Sequence, residues 1–139
     1  MPMIDIHIPA SLFPPEADVK LTRELTLAVL RAEGVPTPGP LHLENTAAFV
    51  HRLPESAVGT AARQPASAVR IQVITPPGAL KREGQKQLTK EATEFVASLA
   101  GDPSLAKRTW VILTESAEGG WGIAGTAFGK EEFAALAKR

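Results

Sequence analysis

Hydrophobic residues follow two different spacings within the first 53 residues. From Met3 to Ile8 every second residue is isoleucine, and this period of two predicts a β-strand with one apolar face. After Pro14-Pro15-Glu16, apolar residues recur every three or four positions, which predicts a helix that ends before Gly34 and Pro36. A second strand is predicted from Ala47 to Leu53. The first half of the chain is therefore expected to fold as strand, helix, strand.

The second half has the same order of patterns. Arg70 to Thr75 and Thr109 to Glu115 are predicted strands, and Lys81 to Ala100 between them is a predicted helix. Gly84 is expected to weaken the first turns of that helix by about 1 kcal/mol relative to alanine. The glycine-rich run Gly119 to Ile123 predicts a turn followed by a short strand.

The two halves also match residue by residue when the sequence is shifted by 67 positions. The heptapeptide KLTRELT in the first helix then lies over QLTKEAT in the second. The same offset aligns Ile4 with Ile71, Pro9 with Pro76, Gly34 with Gly101 and Pro36 with Pro103. A shared register of strand, turn and helix end indicates an internal duplication.

A β-α-β unit makes its two strands parallel, with the helix on one face of the sheet. Two such units predict an α+β fold in which a four-stranded mixed sheet carries two helices on one face. The strand around Trp110-Val111-Ile112-Leu113 is apolar on both faces, so a second layer is expected to cover the other face. We expect another subunit to provide this layer. The alternative is the predicted C-terminal helix, Lys130 to Lys138.

Length and composition narrow the class of protein. The chain has 139 residues, which suits one domain, here divided into repeats of about 1–66 and 67–127 plus a terminal helix at 130–138. It has no cysteine, so disulfides and thiolate metal sites are excluded. A formal net charge of zero disfavours nucleic acid as a partner, and no apolar run is long enough to span a membrane. With no signal-peptide pattern at its start, the protein is expected to be cytoplasmic.

Pro2 is the first candidate for chemistry. Small residues after the initiator methionine, proline included, favour removal of Met1, which would leave Pro2 with a free secondary amine. Burial or a nearby cation lowers the pKa of such an amine and makes it a base near neutral pH. Pro2 aligns with the internal residue Val69, so each chain has one such amine.

The residues also resemble a known family. The start Met1-Pro2-Met3-Ile4-Asp5-Ile6-His7-Ile8 resembles the amino-terminal-proline tautomerases of the 4-oxalocrotonate tautomerase group. The strand Trp110-Val111-Ile112-Leu113-Thr114-Glu115 and the later Gly-Trp-Gly-Ile turn at residues 120–123 resemble the same group. The resemblance covers nearly the whole chain as two fused units.

This resemblance implies a fold and a mechanism. The fold is a tautomerase fold of the macrophage migration inhibitory factor type, in which long fused members form homotrimers. The reaction needs no cofactor or metal: Pro2 is the general base that moves a proton in a small 2-oxo or enol carboxylate. Trp121 falls where the family has an aromatic wall beside the proline.

The chain departs from the family at its arginines. The family's arginine positions, in the loop after the first strand and at the start of the last strand, hold Leu12, Ala79 and Trp110. Substrate binding is therefore assigned to the nearby cations and tryptophans: Lys81, Arg82, Arg108, Trp110 and Trp121. The family's water-activating acid is also missing, which disfavours dehalogenation.

Three functions follow as hypotheses. The first is a cofactor-free tautomerase acting on a small carboxylate. The second is a catalytically inactive protein of the same fold that binds a small acid or serves as a scaffold. The third is a ferredoxin-like ligand-binding domain, which holds only if the tautomerase motifs are coincidental. The three histidines, His7, His42 and His51, lack the spacing of a metal site.

Overall fold

The computed structural model describes residues 1–137, so the predicted helix end at Lys138 lies outside the described residues. The strands are β1 (Met3–Pro9), β2 (Ala47–Leu53), β3 (Val69–Thr75), β4 (Thr109–Glu115), β5 (Trp121–Ile123) and β6 (Thr126–Phe128). The helices are α1 (Ala17–Ala32), α2 (Pro40–Glu44), α3 (Arg82–Ala100) and α4 (Lys130–Ala137). None of these described helices is long and apolar enough to cross a membrane.

The main sheet has the strand order β2-β1-β3-β4. β1 is parallel to β2, β3 is parallel to β4, and the central pair β1 and β3 is antiparallel. The two β-α-β units therefore point in opposite directions. The predicted α+β fold, a four-stranded mixed sheet with two helices on one face, is confirmed.

Both long helices pack on the same face of this sheet because their apolar stripes meet the inward residues of the strands. Ile4, Ile6 and Ile8 of β1 are fully buried under Leu21 of α1 and Leu88 of α3, with the rest of the core around them. The helices end as expected: Gly34 and Gly101 follow α1 and α3 with positive φ angles of 84° and 66°.

Three details differ from the prediction. α1 begins at Ala17 because Pro14 to Glu16 form a turn, in which the Ala17 N–H donates to the Pro14 carbonyl oxygen. The short helix α2 lies where only a connection was expected. The glycine-rich run forms a complete hairpin, since β6 pairs with β5 through Trp121 and Phe128.

Gly84 has a different role from the one expected from helix propensity. It lies in the first turn of α3, where that helix meets the end of α1. A Cβ atom at Gly84 would come within 2.3 Å of the Ala32 carbonyl oxygen and 2.9 Å of Leu80 Cδ1. The glycine is therefore required by the close approach of the two helices.

We expect Gly84→Ala to destabilise the protein, although alanine is the better helix former. Overpacking of this kind costs about 1–3 kcal/mol, whereas the gain in helix propensity is about 1 kcal/mol. The free energy of unfolding, measured by denaturant titration, should therefore fall. Gly122→Ala is the control, because a Cβ atom at Gly122 meets nothing within 4 Å. Equal or higher stability of Gly84→Ala would contradict the packing role.

The sheet face opposite the helices, here called the outer face, has no covering layer among residues 1–137. By strand alternation it carries the following residues: Met3, Asp5, His7, Ala47, Phe49, His51, Arg70, Gln72, Ile74, Trp110, Ile112 and Thr114. Phe49, Trp110 and Ile112 are 55%, 46% and 42% exposed. The described part of the C-terminal helix therefore does not cover them, which leaves a second subunit as the expected cover.

Two histidines stand beside each other on the outer face. The rings of His7 and His51 stack with their centroids 4.4 Å apart, and His51 Nε2 lies 2.7 Å from Asp5 Oδ1. Burial, followed by the charges of His51 and Arg70, lowers the pKa of His7. In residues 1–137, no group of three or more histidine, aspartate or glutamate side chains is placed to hold a metal ion.

Candidate functional site

Pro2 lies at the end of the sheet where β1 begins, which we call the proline end. Pro2 is buried, and its carbonyl oxygen accepts a hydrogen bond of 3.3 Å from the Ala47 N–H at the start of β2. Because β3 and β4 run the other way, their last residues, Thr75 and Glu115, lie at this same end. The proline end therefore joins the starts of one unit's strands to the ends of the other's.

A cavity of about 340 Å³ opens beside the chain terminus. It is lined by residues from both units and from the C-terminal helix: Met1, Glu33, Val35, His42, Pro76, Pro77, Ala79, Glu118, Lys130 and Phe133. Its size falls within the range of small-molecule sites, and its walls are largely apolar with a few polar groups. We call it the Met1 cavity.

Glu33, just after α1, meets the chain terminus inside the protein. Its Oε1 atom lies 3.5 Å from the Met1 amino nitrogen, and the two side chains are only 4% and 6% exposed. Burial lowers the pKa of the Met1 amino group, and the Glu33 carboxylate partly offsets this. Burial likewise raises the pKa of the Glu33 carboxyl, and the ammonium opposes the change. The site thus pairs a desolvated amine with a desolvated acid.

Unsatisfied polar atoms are concentrated at the proline end. Among the described residues, four buried side-chain atoms have no hydrogen-bond partner, and three of them are Glu33 Oε2, Thr46 Oγ1 and Ser116 Oγ. Thr46 precedes the start of β2, and Ser116 follows the end of β4. Buried polar groups normally have partners, so each of these three atoms has capacity left for a hydrogen bond to a ligand or an ordered water.

Trp121 lies at the proline end but lines a different cavity. This second cavity measures about 470 Å³, and its wall includes Met3, Ile74 and Ser116 besides Trp121. The Trp121 side chain is 6% exposed, so its indole ring is packed against protein. Met3, which lines the second cavity, directly follows Pro2 in the chain, whereas Pro2 is not among the residues that line it.

Lys81 and Arg82 also lie at the proline end, because α3 begins there. Both are exposed, and neither lines the Met1 cavity among the residues described. Arg82 instead lines an open groove of about 760 Å³ along α3 and β4, together with Lys86 and Lys90. This groove lies on the helix side of the sheet.

Trp110 and Arg108 lie at the opposite end of the sheet. Trp110 is paired with Arg70, and Arg70 faces His7, which is near the far end of β1. Arg108 is held by the Ser67 carbonyl oxygen at 2.7 Å and by Asp102 Oδ2 at 3.2 Å. Within one chain neither residue is near Pro2, because the two units are antiparallel.

Three residues of the Met1 cavity were not predicted from the sequence: Glu33, Lys130 and Phe133. Glu33 resembled an ordinary charged residue at a helix end, because it precedes Gly34. Lys130 and Phe133 belong to a terminal helix whose docking against the cavity has no sequence signal. Only the path of α1 toward the proline end brings Glu33 beneath the amino terminus, so the sequence alone offered no way to select it.

Solved structures with similar folds are numerous. Native fused 4-OT matches over 99% of both chains at 21% identity and a TM-score of 0.75. The Q0 fused 4-OT, a symmetric trimer, matches over 96% of this chain and 98% of its own at 20% identity and a TM-score of 0.75. Pt0534, inactivated by 2-oxo-3-pentynoate, matches over 93% and 97% at 18% identity and a TM-score of 0.76.

These likenesses concern the fold. No protein-family model and no curated protein matches the sequence. The structural matches nevertheless cover nearly the full chain, and they include fused two-unit proteins of the tautomerase superfamily. The resemblance stated from the sequence motifs is confirmed at the level of the fold.

Proposed function

We propose that this chain, which has the tautomerase fold, is a cofactor-free tautomerase that moves a proton in a small 2-oxo or enol carboxylate. Removal of Met1 exposes the secondary amine of Pro2. In enol ketonisation that amine takes the proton from the enol oxygen and delivers it to carbon at the other end of the conjugated system. No bond to the enzyme forms, and the substrate and product are isomers.

The observation that carries this proposal is the environment of the amino terminus. The chain's α-amino group belongs to Met1, which lines the Met1 cavity, and burial of this group lowers its pKa. Pro2 itself is buried, so its amine is expected to experience a similar or stronger effect. An amine whose pKa is shifted toward neutrality is an efficient general base at physiological pH.

The comparisons agree with this function. Pt0534 is inactivated by a 2-oxo acid, and the Q0 fused 4-OT is a trimer. We propose that this chain also forms a homotrimer, in which the outer faces meet. In such an assembly Trp110 and Arg108 of one subunit can approach Pro2 of another, whereas Trp121, Lys81 and Arg82 lie at the proline end of their own chain. These five residues are our proposed substrate-binding set.

Two measurements test the proposal together. Intact mass spectrometry of the purified protein should give a mass that lacks methionine. The same preparation should accelerate ketonisation of the enol of phenylpyruvate, followed by ultraviolet absorbance. A retained methionine would contradict the mechanism, because an amide nitrogen is not a base.

The second function is that of a catalytically inactive member of the fold that binds a small acid or acts as a scaffold, and one observation favours the scaffold. Among the described residues lining the Met1 cavity there are two carboxylates, Glu33 and Glu118, and Lys130 is the one lysine or arginine. Loss of Met1 with no acceleration of ketonisation would favour this second function.

A further inference from the structure

The surroundings of Glu33 indicate which substrates this site accepts. Its side chain is 4% exposed, and while Oε1 meets the terminal amine, Oε2 has no partner. A buried carboxylate oxygen without a partner is costly, since charged groups leave water only when they are paired. The Met1 ammonium therefore leaves this buried carboxylate only partly satisfied, because it reaches one of the two oxygens.

Met1 links the Glu33 carboxylate to Pro2, because its amino nitrogen lies 3.5 Å from Glu33 Oε1 and its carbonyl carbon is bonded to the Pro2 nitrogen. Consecutive backbone nitrogens are joined by three bonds, so the Pro2 nitrogen lies less than about 4.3 Å from that of Met1. It follows that Glu33 Oε1 lies within about 8 Å of the Pro2 nitrogen. The Met1 side chain is 6% exposed and lines the Met1 cavity, so its removal enlarges that cavity.

We propose that, once Met1 is removed, the substrate takes its place, with its reacting carbon at the Pro2 amine and its distal end at Glu33. Glu33 then selects substrates that present a hydrogen-bond donor at that end and rejects those that present a second carboxylate. This inference rests on the proposed function and specifies its substrate class. It makes Glu33 a specificity-determining residue for the reaction.

Charge explains the direction of the selection. The Met1 ammonium, a donor, is the group now at Glu33 Oε1. A hydroxyl or ammonium group on a substrate can replace it, whereas a carboxylate would face a like charge in a poorly solvated cavity. Glu118 also lines this cavity and adds to the repulsion, and Lys130 is exposed at its edge. A site built for a donor discriminates strongly because its buried oxygen is otherwise unpaired.

The test uses three enolpyruvates that differ only at the 4-position of a phenyl ring: hydrogen, hydroxyl and carboxylate. For the wild-type protein we expect kcat/KM to fall in the order hydroxyl, hydrogen, carboxylate. Glu33→Gln keeps the shape of the side chain and removes the charge. This variant should raise the ratio of kcat/KM for the carboxylate compound to kcat/KM for the unsubstituted compound at least tenfold. Glu24→Gln, in α1 with a side chain that is 41% exposed, should leave the order unchanged.

A second readout does not need turnover. The terminal amine adds to the triple bond of 2-oxo-3-pentynoate without a leaving group, and mass spectrometry follows the adduct. Each of the three test compounds, added in its oxo form, should protect the amine from this labelling. The degree of protection should follow the same order as kcat/KM. In Glu33→Gln the pH midpoint of labelling should move lower, because no carboxylate stabilises the ammonium.

The outcomes separate the two proposals. In one outcome the wild-type protein turns over its substrates, but Glu33→Gln changes neither the substrate order nor the pH midpoint of labelling. This outcome overturns the role of Glu33 and leaves the tautomerase function standing. Absence of turnover, together with the expected order of protection and a shifted midpoint, overturns the tautomerase function and supports the selection by Glu33. A wild-type preference for the carboxylate compound overturns the selection without any variant.

Discussion

Chain extension before Pro2 should lower kcat/KM for enol ketonisation by about 10²- to 10⁴-fold, the contribution typical of a positioned general base. An extension turns the Pro2 nitrogen into a tertiary amide, whose lone pair is delocalised into the peptide bond. A protease site that ends directly before Pro2 allows the same preparation to be assayed before and after cleavage. Cleavage should restore the rate, because it regenerates the secondary amine.

Two controls make this experiment decisive. The same extension placed after Arg139 should leave kcat/KM unchanged, which separates loss of the amine from the presence of extra residues. Pro2→Ala keeps a terminal amine but loses the ring that fixes its direction, and we expect about a 10²-fold decrease. Equal rates in the extended and cleaved protein would show that the amine is not the base.

The second large effect concerns assembly, and Ile112→Lys should convert the proposed trimer into single chains. Ile112 is 42% exposed on the outer face, beside Gln72 of β3. Burying an isoleucine contributes about 1.5–3 kcal/mol, and placing an unpaired ammonium at such an interface costs several kcal/mol more. With one change in each of three subunits, analytical ultracentrifugation at micromolar concentration should report a threefold lower mass.

Val19→Lys is the matched control for this variant. Val19 is an apolar residue of α1 that is 67% exposed, and it lies on the helix layer rather than on the outer face. Its substitution should leave the trimer intact. Circular dichroism should show that Ile112→Lys remains folded, because Ile112 is not part of the core of the single chain. A wild-type protein that is already monomeric would contradict the argument from the outer face.

Much of the fold could be predicted from local hydrophobic patterns in the sequence. The bounds of β2 and β4 were predicted to the residue, since apolar runs bounded by turn residues mark strands clearly. α2 was missed because five residues with a proline at the start give no helical periodicity. Gly84 was misjudged because propensity describes an isolated helix, whereas its packing partner, Ala32, is 52 positions away.

The candidate site was less accessible to sequence reasoning. Pro2 and Trp121 were selected from local motifs, and both lie at the proline end. Trp110 and Arg108 were placed in the same set, yet the chain puts them at the other end of the sheet. Their role as binding residues is now a proposal about neighbouring subunits. Proximity along the sequence to a motif says nothing about which end of a strand faces the site.

By itself, the sequence determined the duplication, the order of strands and helices, and the faces that these elements bury. It could do so because strand alternation and helical periodicity depend only on residues that are close together in the sequence. The tertiary structure decided how the two units are joined. Their central strands are antiparallel, and this brings the start of the first unit to the end of the second. It also decided that Glu33 lies beneath the amino terminus. That contact joins residues 32 positions apart, and only the crossing of α1 over the sheet creates it.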